Sequence, residues 1–294
     1  FEHNEDYLQD TGIMIKTLVA FATNQSKYKT VGRVPLESFH TSWEKAKSGL
    51  RFAINFLKSN VLIENLTLLS SPFLLIPIAY YAVRKKEKLS EEECNKLLLW
   101  FYAAHMKGHY SYGSSEGFLD ADLSIINRTE NIDELLAVLK SHIKDFDVTA
   151  EELTGKNRRS PYFSMLFFIA KQKKVKDWFT GIGVSEKLTG RSHALQFHHI
   201  FPKSLLRDLG YGRRELNDIA NLAFINGKTN RSISNKSPEV YLKGIVEKQG
   251  PSALKDQLIS LDESEWKLSV YNNFLIQRRN LLVNAINTHL KQLM

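Results

Sequence analysis

Apolar residues in the first half of the chain recur at intervals of three and four, the spacing of one face of an α-helix. The clearest case lies within residues 36–57, at Leu36, Phe39, Trp43, Ala46, Leu50, Ala53 and Leu57. Pro35 suits the first turn of that helix, and Ser90 with Glu93 has the pattern of a capping box at the start of another. Residues 1–150 are therefore predicted to form a helical domain, whose role the pattern leaves open.

After residue 150 the pattern becomes more varied. The polar segment 150–160, which contains Gly155, Arg158 and Arg159, is predicted to be a hinge, and the apolar run 162–170 is predicted to be a helix. Lysines follow that run, at Lys171, Lys173, Lys174 and Lys176. They are typical of a solvated helix end, where cations suit the C-terminal dipole; contact with phosphate is the alternative.

Two short strands are predicted next. Residues 194–201 are rich in aromatic and aliphatic side chains and are followed by Pro202, which stops a strand. Residues 221–225 predict a second strand, followed by Asn226-Gly227, a strong turn signal. A proline at a favoured first position, Pro238, then predicts the start of a helix. The predicted order is strand, loop, strand, helix.

The last predicted element is a long helix over residues 263–290, whose apolar face is interrupted by Arg278 and Arg279. Together the elements predict a mainly α fold. A helical N-terminal domain, residues 1–150, is followed by a second domain, residues 151–294, in which a small strand-strand-helix module is embedded among helices.

The charge of the chain is uneven. With 294 residues it is long enough for one large domain or two ordinary ones with ample core. Residues 151–250 hold 18 Lys and Arg against 9 Asp and Glu, whereas the rest of the chain holds 22 against 23. The net charge of +8 therefore lies in the segment 151–250. A polyanion is the expected partner there, although such a balance also occurs in proteins that bind nothing acidic.

Cysteine content and hydropathy restrict the chain further. The single cysteine, Cys94, excludes a disulfide or a multi-thiolate zinc site within the chain. The most apolar run, residues 73–83, contains Pro77 and is too short to span a bilayer, and no signal peptide is evident. We expect a cytoplasmic protein that contacts no membrane. Because the sequence opens on Phe1 rather than Met, we also expect that an upstream segment is missing.

The candidate chemistry is centred on the paired His198 and His199, which are followed by Asn221 and Asn230. Hydrolysis of a phosphodiester needs a deprotonated water, a cation on the phosphate oxygens and basic surroundings. Histidine titrates near neutrality and can act as the base. One His nitrogen and one Asn carbonyl oxygen can hold Mg²⁺ or Mn²⁺, because such ions keep several waters and need few protein ligands. The imidazole favours Mn²⁺. The pattern predicts a one-metal phosphodiester-cleaving site.

Strict strand alternation would place His198 and His199 on opposite faces of the sheet. For both to serve one phosphate, the strand must end or kink there, and Pro202 favours such an end. The alternative is a plain structural hairpin. Single histidines elsewhere are interpreted as structural, namely His105, His109, His142 and His289. The segment 108–116 is interpreted as a turn rich in Gly and Ser between two helices, with contact to substrate or a partner as the alternative.

Residues 193–242 resemble the HNH, or ββα-metal, endonuclease motif. The resemblance rests on His198-His199-Ile200-Phe201-Pro202-Lys203-Ser204, then Asn221-Leu222, then Asn230 followed by Asn235-Lys236-Ser237-Pro238. More closely, the chain is similar to the HNH half of GmrSD-type restriction endonucleases, which attack modified phage DNA. Weaker similarity to that group extends to residues 100–112 and 274–284.

The resemblance implies a small ββα-metal module and a metal-dependent DNA endonuclease that leaves a 5′-phosphate and a 3′-hydroxyl. His199 is implied to be the general base, Asn221 to steady the loop that carries the base, and His198 and Asn230 to be metal ligands. Many family members have a histidine where Asn230 stands. They usually begin with a ParB-like nucleotide-dependent domain, whose Asp-Gly-Gln-Gln-Arg-like signature does not occur in this sequence. Such a domain or subunit is expected to be absent from this piece.

Basic side chains around the motif are expected to contact the DNA backbone: Lys203, Arg213, Arg214, Lys228, Arg231 and Lys236. Two other functions remain open. The first is a noncatalytic module with an HNH-like fold that binds DNA or a partner, and the second is an RNase. The sequence carries no signature of the preferred DNA sequence or of the oligomeric state. It also does not indicate whether one strand or both strands would be cut.

Overall fold

The computed structural model of the chain describes residues 11–63, 65–185 and 190–294. It divides into two compact units, Phe1–Phe146 with Leu290–Met294, and Asp147–His289. The fold is mainly α, as predicted: helices dominate both units, and the described residues hold one sheet, of two strands. No helix in these ranges combines the length and the apolar character needed to cross a membrane.

The first unit is built from helices. They are α1 (Thr11–Thr23), α2 (Leu36–Asn60), α3 (Leu75–Arg84), α4 (Glu91–Met106), α5 (Ser115–Thr129) and α6 (Ile132–Ile143). Short 3-10 turns lie at Tyr28–Arg33, Leu66–Leu68 and Pro72–Leu74. The predicted capping box is confirmed, because the Ser90 hydroxyl accepts from the Glu93 N–H and the Glu93 carboxylate accepts from the Ser90 N–H. Local sequence therefore sets the start of α4.

Most of the predicted apolar face of α2 is buried. Its last four positions, Ala46, Leu50, Ala53 and Leu57, lie in the core. The first position and the third do not, since Leu36 is 73% exposed and Trp43 is 40% exposed. The first buried residue of α2 is Ser42, so the opening turn lies beyond the part of the helix that packs. Helical spacing thus identifies the packed face but not the point at which packing begins.

The turn between α4 and α5 is anchored by buried polar side chains. His109 Nε2 lies 2.8 Å from Asp122 Oδ2, and the Tyr110 hydroxyl donates to the same oxygen. Asp122 belongs to α5 and is completely buried. His109 therefore has a structural role, because it ties this Gly- and Ser-rich turn to the helix that follows it.

The second unit contains the sheet. Its helices are α7 (Ala150–Leu153), α8 (Pro161–Gln172), α9 (Lys203–Asp208), α10 (Arg213–Leu216), α11 (Gly227–Ile233), α12 (Pro238–Gln249), α13 (Ser252–Lys255) and α14 (Tyr271–Lys291). Its strands are β1 (Leu195–His199) and β2 (Leu222–Asn226). Short 3-10 turns lie at Ile219–Asn221, Glu263–Trp266 and Leu268–Val270. The order β1, β2, α11 is the predicted strand-strand-helix module.

The two strands are antiparallel and are joined by the segment 200–221. Phe197 on β1 is opposite Phe224 on β2, and both rings pack on Phe163 of α8 at centroid distances of 4.9 and 5.1 Å. A two-stranded sheet is only marginally stable alone and needs such an apolar support. The aromatic cluster therefore fixes the sheet on α8 and with it the positions of the histidines at the end of β1.

The prediction of a turn at Asn226-Gly227 is wrong. Asn226 ends β2 and caps α11, because its side chain accepts a hydrogen bond from the Thr229 N–H. Gly227 is the first residue of the helix. A Cβ atom there would lie 2.2 Å from the Arg191 carbonyl oxygen, so only glycine fits. The Asn-Gly pair therefore connects β2 directly to α11. Asn226 is needed as the helix cap and Gly227 for the close backbone contact, and these are the same two residue types that favour a tight turn.

The long C-terminal helix begins later than predicted, at Tyr271 rather than at residue 263. Arg278 does not interrupt its packing. The Arg278 side chain is buried and donates to the carbonyl oxygens of Ala220, Gln257 and Leu258 at 2.7–3.2 Å. Arg279 pairs with Asp218 at 2.6 Å. The two arginines therefore fasten α14 to the segment that leads into β2.

Candidate functional site

His198 and Asn230 are brought together by the strand-strand-helix module. His198 is the fourth residue of β1, and its side chain is only 4% exposed. Asn230 lies in the middle of α11 and is half-buried. His198 Nδ1 lies 2.8 Å from Asn230 Oδ1. The sheet and the helix thus place an imidazole nitrogen and an amide oxygen side by side.

The rest of the His198 ring is enclosed by aromatic side chains. The Trp178 and Tyr241 rings meet it edge-on, at centroid distances of 6.0 and 5.7 Å. The Tyr241 hydroxyl lies 3.3 Å from His198 Nε2. Burial lowers the pKa of His198 to about 4, against the opposing effect of the Asn230 bond. The ring is therefore uncharged at neutral pH, the form in which imidazole binds metals.

The His198–Asn230 pair fits a hard divalent cation as a partial ligand set. Adjacent ligands of an octahedral ion at about 2.0–2.1 Å lie about 3 Å apart, close to the observed 2.8 Å. Within the described residues, no group of three or more His, Cys, Asp or Glu side chains could hold a metal. The pair would therefore supply two ligands, and water or a substrate oxygen would supply the others, as Mg²⁺ tolerates.

His199 leaves β1 on the other face. β1 ends at His199, but this residue is still in register with Leu222, so strand alternation turns its side chain away from His198. Burial lowers the pKa of His199 to about 4, the Lys203 charge adds to this effect, and a hydrogen bond with Asn217 opposes it. The Nε2 atom of His199 is buried, and no described residue forms a hydrogen bond with it. The ring is therefore uncharged at neutral pH.

His199 lines an open cleft of about 1190 Å³ that is strongly basic, and we call it the basic cleft. Its cationic lining residues are Arg158, Arg159, Lys203, Arg207, Arg213 and Arg214. No carboxylate is found among the described residues that line it. Burial lowers the pKa of Lys203, and the charges of Arg207, Arg158 and Arg213 lower it further. Cations that repel one another without a counter-charge form a site for an anion.

The structure divides the predicted DNA contacts into two groups. Lys203, Arg213 and Arg214 line the basic cleft. The others lie outside it, on or just after α11, and are exposed: Lys228, Arg231 and Lys236. The Arg231 guanidinium donates to the Arg191 carbonyl and to the Ser192 hydroxyl, which holds the loop before β1.

Three cations of the basic cleft were not predicted from sequence. Arg158 and Arg159 lie in the segment interpreted as a hinge, and Arg207 lies in α9. In the sequence, only the excess of basic residues in the segment 151–250 indicates that these three arginines could contact a polyanion. The hinge interpretation missed Arg158 and Arg159 because their distance from His199 along the chain hides their proximity in the fold.

Asn221 is buried and holds the backbone that follows His199. Its Oδ1 accepts from the Phe201 N–H at 2.8 Å, and its Nδ2 donates to the Phe201 carbonyl at 3.1 Å. It also donates to the Leu216 carbonyl at 3.4 Å. These bonds link the exit of β1 to the entry of β2, so Asn221 acts on the position of His199 through the main chain.

Asp177 is a buried anchor of α11 that sequence reasoning missed. Its carboxylate accepts from the Thr229 hydroxyl at 2.6 Å and from the Asn226 N–H at 2.8 Å. It also accepts from Phe179 and Thr180 on its own loop. Burial alone would raise the pKa of Asp177, but the hydrogen bonds from Asn226, Thr229 and Thr180 outweigh it and lower the pKa. Asp177 thus fixes the first turn of the helix that carries Asn230.

Comparison with known proteins places this site in a family. The chain is 25% identical over 170 residues to the uncharacterized protein MJ0686 of Methanocaldococcus jannaschii, an alignment that covers 56% of this chain. The chain spans only 27% of that relative's length. Residues 128–283 match the family described as GmrSD restriction endonucleases, C-terminal domain. Because this match covers more than half of the chain and contains β1, β2, α11 and the basic cleft, the protein belongs to the GmrSD restriction endonuclease C-terminal domain family.

Proposed function

We propose that this chain carries a metal-dependent HNH endonuclease site that hydrolyses DNA phosphodiester bonds in restriction or anti-phage defence. The observation that carries the proposal is the 2.8 Å approach of His198 Nδ1 to Asn230 Oδ1 across the strand-helix junction. The basic cleft beside His199 supports a polyanionic substrate. Membership of a restriction endonuclease family makes DNA the favoured polyanion.

In this proposal His198 and Asn230 would hold the divalent cation. Once bound, Mg²⁺ or Mn²⁺ would supply positive charge to the non-bridging and leaving oxygens of the phosphate. The imidazole nitrogen in the ligand pair favours Mn²⁺ over Mg²⁺. Asp177 keeps the ligand pair in place, since it fixes the turn of α11 that precedes Asn230.

His199 would be the general base. It would take a proton from water, and the resulting hydroxide would attack phosphorus. As the bond to the 3′ oxygen breaks, that oxygen would take a proton from solvent, which leaves a 5′-phosphate and a 3′-hydroxyl. His198 and His199 lie on opposite faces of β1, and within the described residues β1 pairs with β2 alone. β1 ends at His199, and we therefore propose that the scissile phosphate lies at this end of the strand, between the two histidines.

The basic cleft would hold the phosphates next to the scissile one. Arg158 and Lys203 both act electrostatically on His199, so an anion bound between them lies near the proposed base. Arginine side chains suit this role because their planar groups bind phosphate with two hydrogen bonds. The matched relative is much longer than this chain. We propose that full activity also requires a ParB-like domain or subunit. We further propose that the protein acts in the cytoplasm.

The test is a cleavage assay with the purified chain. Supercoiled plasmid and DNA with modified bases are incubated with Mn²⁺ or Mg²⁺, with EDTA as the control, and RNA is tested under the same metal. We expect metal-dependent nicking or linearisation of DNA that EDTA abolishes. Intact DNA with every metal, from a folded chain that still binds DNA, would favour a noncatalytic binding module. Preferential cutting of RNA would favour an RNase.

A further inference from the structure

Tyr241 is placed to control the ring of His198. It lies on α12 and is buried, with its ring edge-on to the imidazole. Among the described residues, its hydroxyl has two polar neighbours. It donates to the Ile200 carbonyl oxygen at 2.8 Å, and it lies 3.3 Å from His198 Nε2. The hydroxyl therefore links the proposed ligand His198 to the main chain just beyond β1.

A tyrosine hydroxyl has one proton to donate. The Ile200 carbonyl can only accept, and it is the nearer neighbour, so the proton is directed to it. What the hydroxyl then offers His198 Nε2 is an oxygen lone pair. A favourable contact requires that Nε2 carry the ring proton. The neutral imidazole has one proton, so Nδ1 must have a bare lone pair.

That lone pair points at another acceptor. His198 Nδ1 lies 2.8 Å from Asn230 Oδ1, and two acceptors at this distance repel each other unless a donor or a cation relieves them. The amide of Asn230 can turn so that its NH₂ group donates to Nδ1, because the two ends of an amide are nearly the same shape. With a cation present, the oxygen can face inward beside Nδ1 and both can bind the ion.

We propose that Tyr241 is a positioning residue that locks His198 in the Nε2–H tautomer and so keeps Nδ1 free for a divalent cation. This inference rests on the proposed metal site. Hydrogen-bond partners of metal-binding histidines commonly fix the tautomer in this way, and their loss typically weakens metal binding by about 10–100-fold.

The tautomer is measured by nitrogen NMR of the metal-free protein. The chain is labelled with ¹⁵N-histidine, and the ring signals of His198 are assigned by their loss in the His198→Gln variant. We expect a protonated Nε2 and an unprotonated Nδ1 in the parent chain. A protonated Nδ1 would overturn the proposal, and this result needs no Tyr241 variant to fold.

The matched variants are Tyr241→Phe and Tyr271→Phe. The Tyr271 hydroxyl also donates to a backbone carbonyl in the same unit, that of Glu215, but it does not contact His198. We expect Tyr241→Phe to give a mixture of tautomers and to bind Mn²⁺ about 10–100-fold more weakly in calorimetry, with Tyr271→Phe like the parent. Unchanged tautomer and Mn²⁺ affinity in folded Tyr241→Phe would contradict the role of the hydroxyl.

The two readouts separate this inference from the proposed function. A parent chain that binds no Mn²⁺ and cuts no DNA would remove the metal site, and with it the purpose assigned to Tyr241. A chain that binds Mn²⁺ and cuts DNA, but has its proton on Nδ1, would leave the nuclease proposal standing and overturn the role of Tyr241 alone.

Discussion

The Asp177 carboxylate accepts a 2.6 Å hydrogen bond from the Thr229 hydroxyl, one residue before Asn230 on α11. The same carboxylate accepts from the N–H of Asn226, the residue that ends β2 and caps α11. One buried side chain therefore sets both the end of the strand and the start of the helix. The distance between His198 and Asn230 depends on this junction.

Replacing Asp177 with Asn should destabilise the protein. The amide has the same shape, but it loses the charge and turns one acceptor oxygen into a donor that faces other donors. We expect the free energy of unfolding to fall by about 3 kcal/mol, since hydrogen bonds to a buried charged group contribute about 1.5–3 kcal/mol each. Urea denaturation followed by tryptophan fluorescence measures this loss.

The matched control is Asp262→Asn. Asp262 is exposed and caps a 3-10 turn in the same unit through the Ser264 N–H, a role that Asn performs equally well. Its free energy of unfolding should change by less than about 0.5 kcal/mol. Equal loss in the two variants would show that the Asp177 network adds nothing specific to the fold.

Asp177 should also contribute to acid sensitivity. Its pKa is lowered in the folded state below the usual 3.8, so it binds a proton more readily when the chain is unfolded. The stabilisation is therefore fully present well above pH 3.8 and is lost as the pH falls through and below that value. We expect the difference in free energy of unfolding between the parent and Asp177→Asn to be constant above pH 5 and to shrink as the pH falls below 3.8. A difference that does not shrink below pH 3.8 would contradict the assignment.

His199→Ala should abolish DNA cleavage with little effect on folding or DNA binding. Loss of a general base typically lowers the rate by about 10²–10⁴-fold. The control is His193→Ala, an exposed histidine just before β1, which should cut like the parent. Equal cleavage by His199→Ala and the parent would remove His199 from the chemistry.

The basic cleft should dominate DNA affinity. Arg158→Ala and Arg207→Ala should each weaken binding and reduce the slope of log affinity against log salt concentration by about 0.9, the value for one phosphate contact. Lys248→Ala removes an exposed cation outside the cleft and should leave the slope unchanged. Fluorescence anisotropy at several salt concentrations measures all three. If Lys228→Ala lowers the slope and the arginine variants do not, the DNA lies along α11 instead.

Sequence reasoning succeeded where neighbours along the chain determine the structure. The capping box at Ser90 and the start of α12 at Pro238 depend on local hydrogen bonds and backbone angles, which the residues themselves reveal. Two apolar runs were enough to predict β1 and β2. The proximity of His198 to Asn230 came only from the family resemblance, since no periodicity links a strand to a helix 32 residues later.

The features that escaped prediction all depend on distant partners. Arg278 is buried because three carbonyl oxygens from other segments surround it, and nothing near it in sequence indicates them. Tyr241 has the spacing of an ordinary core residue, and its contact with His198 arises from packing between α12 and β1. The turn predicted at Asn226-Gly227 failed for a related reason: the approach of the Arg191 carbonyl decides how that glycine is used.

The most direct test of the metal site is a crystal structure of the chain soaked in Mn²⁺, with anomalous scattering data to locate the ion. We predict one strong anomalous peak about 2.0–2.3 Å from both His198 Nδ1 and Asn230 Oδ1, which disappears in the His198→Gln variant. Two results would contradict the assignment of these residues as the metal ligands. One is an ordered His198–Asn230 pair with no anomalous peak between Nδ1 and Oδ1, and the other is an anomalous peak found only elsewhere in the protein.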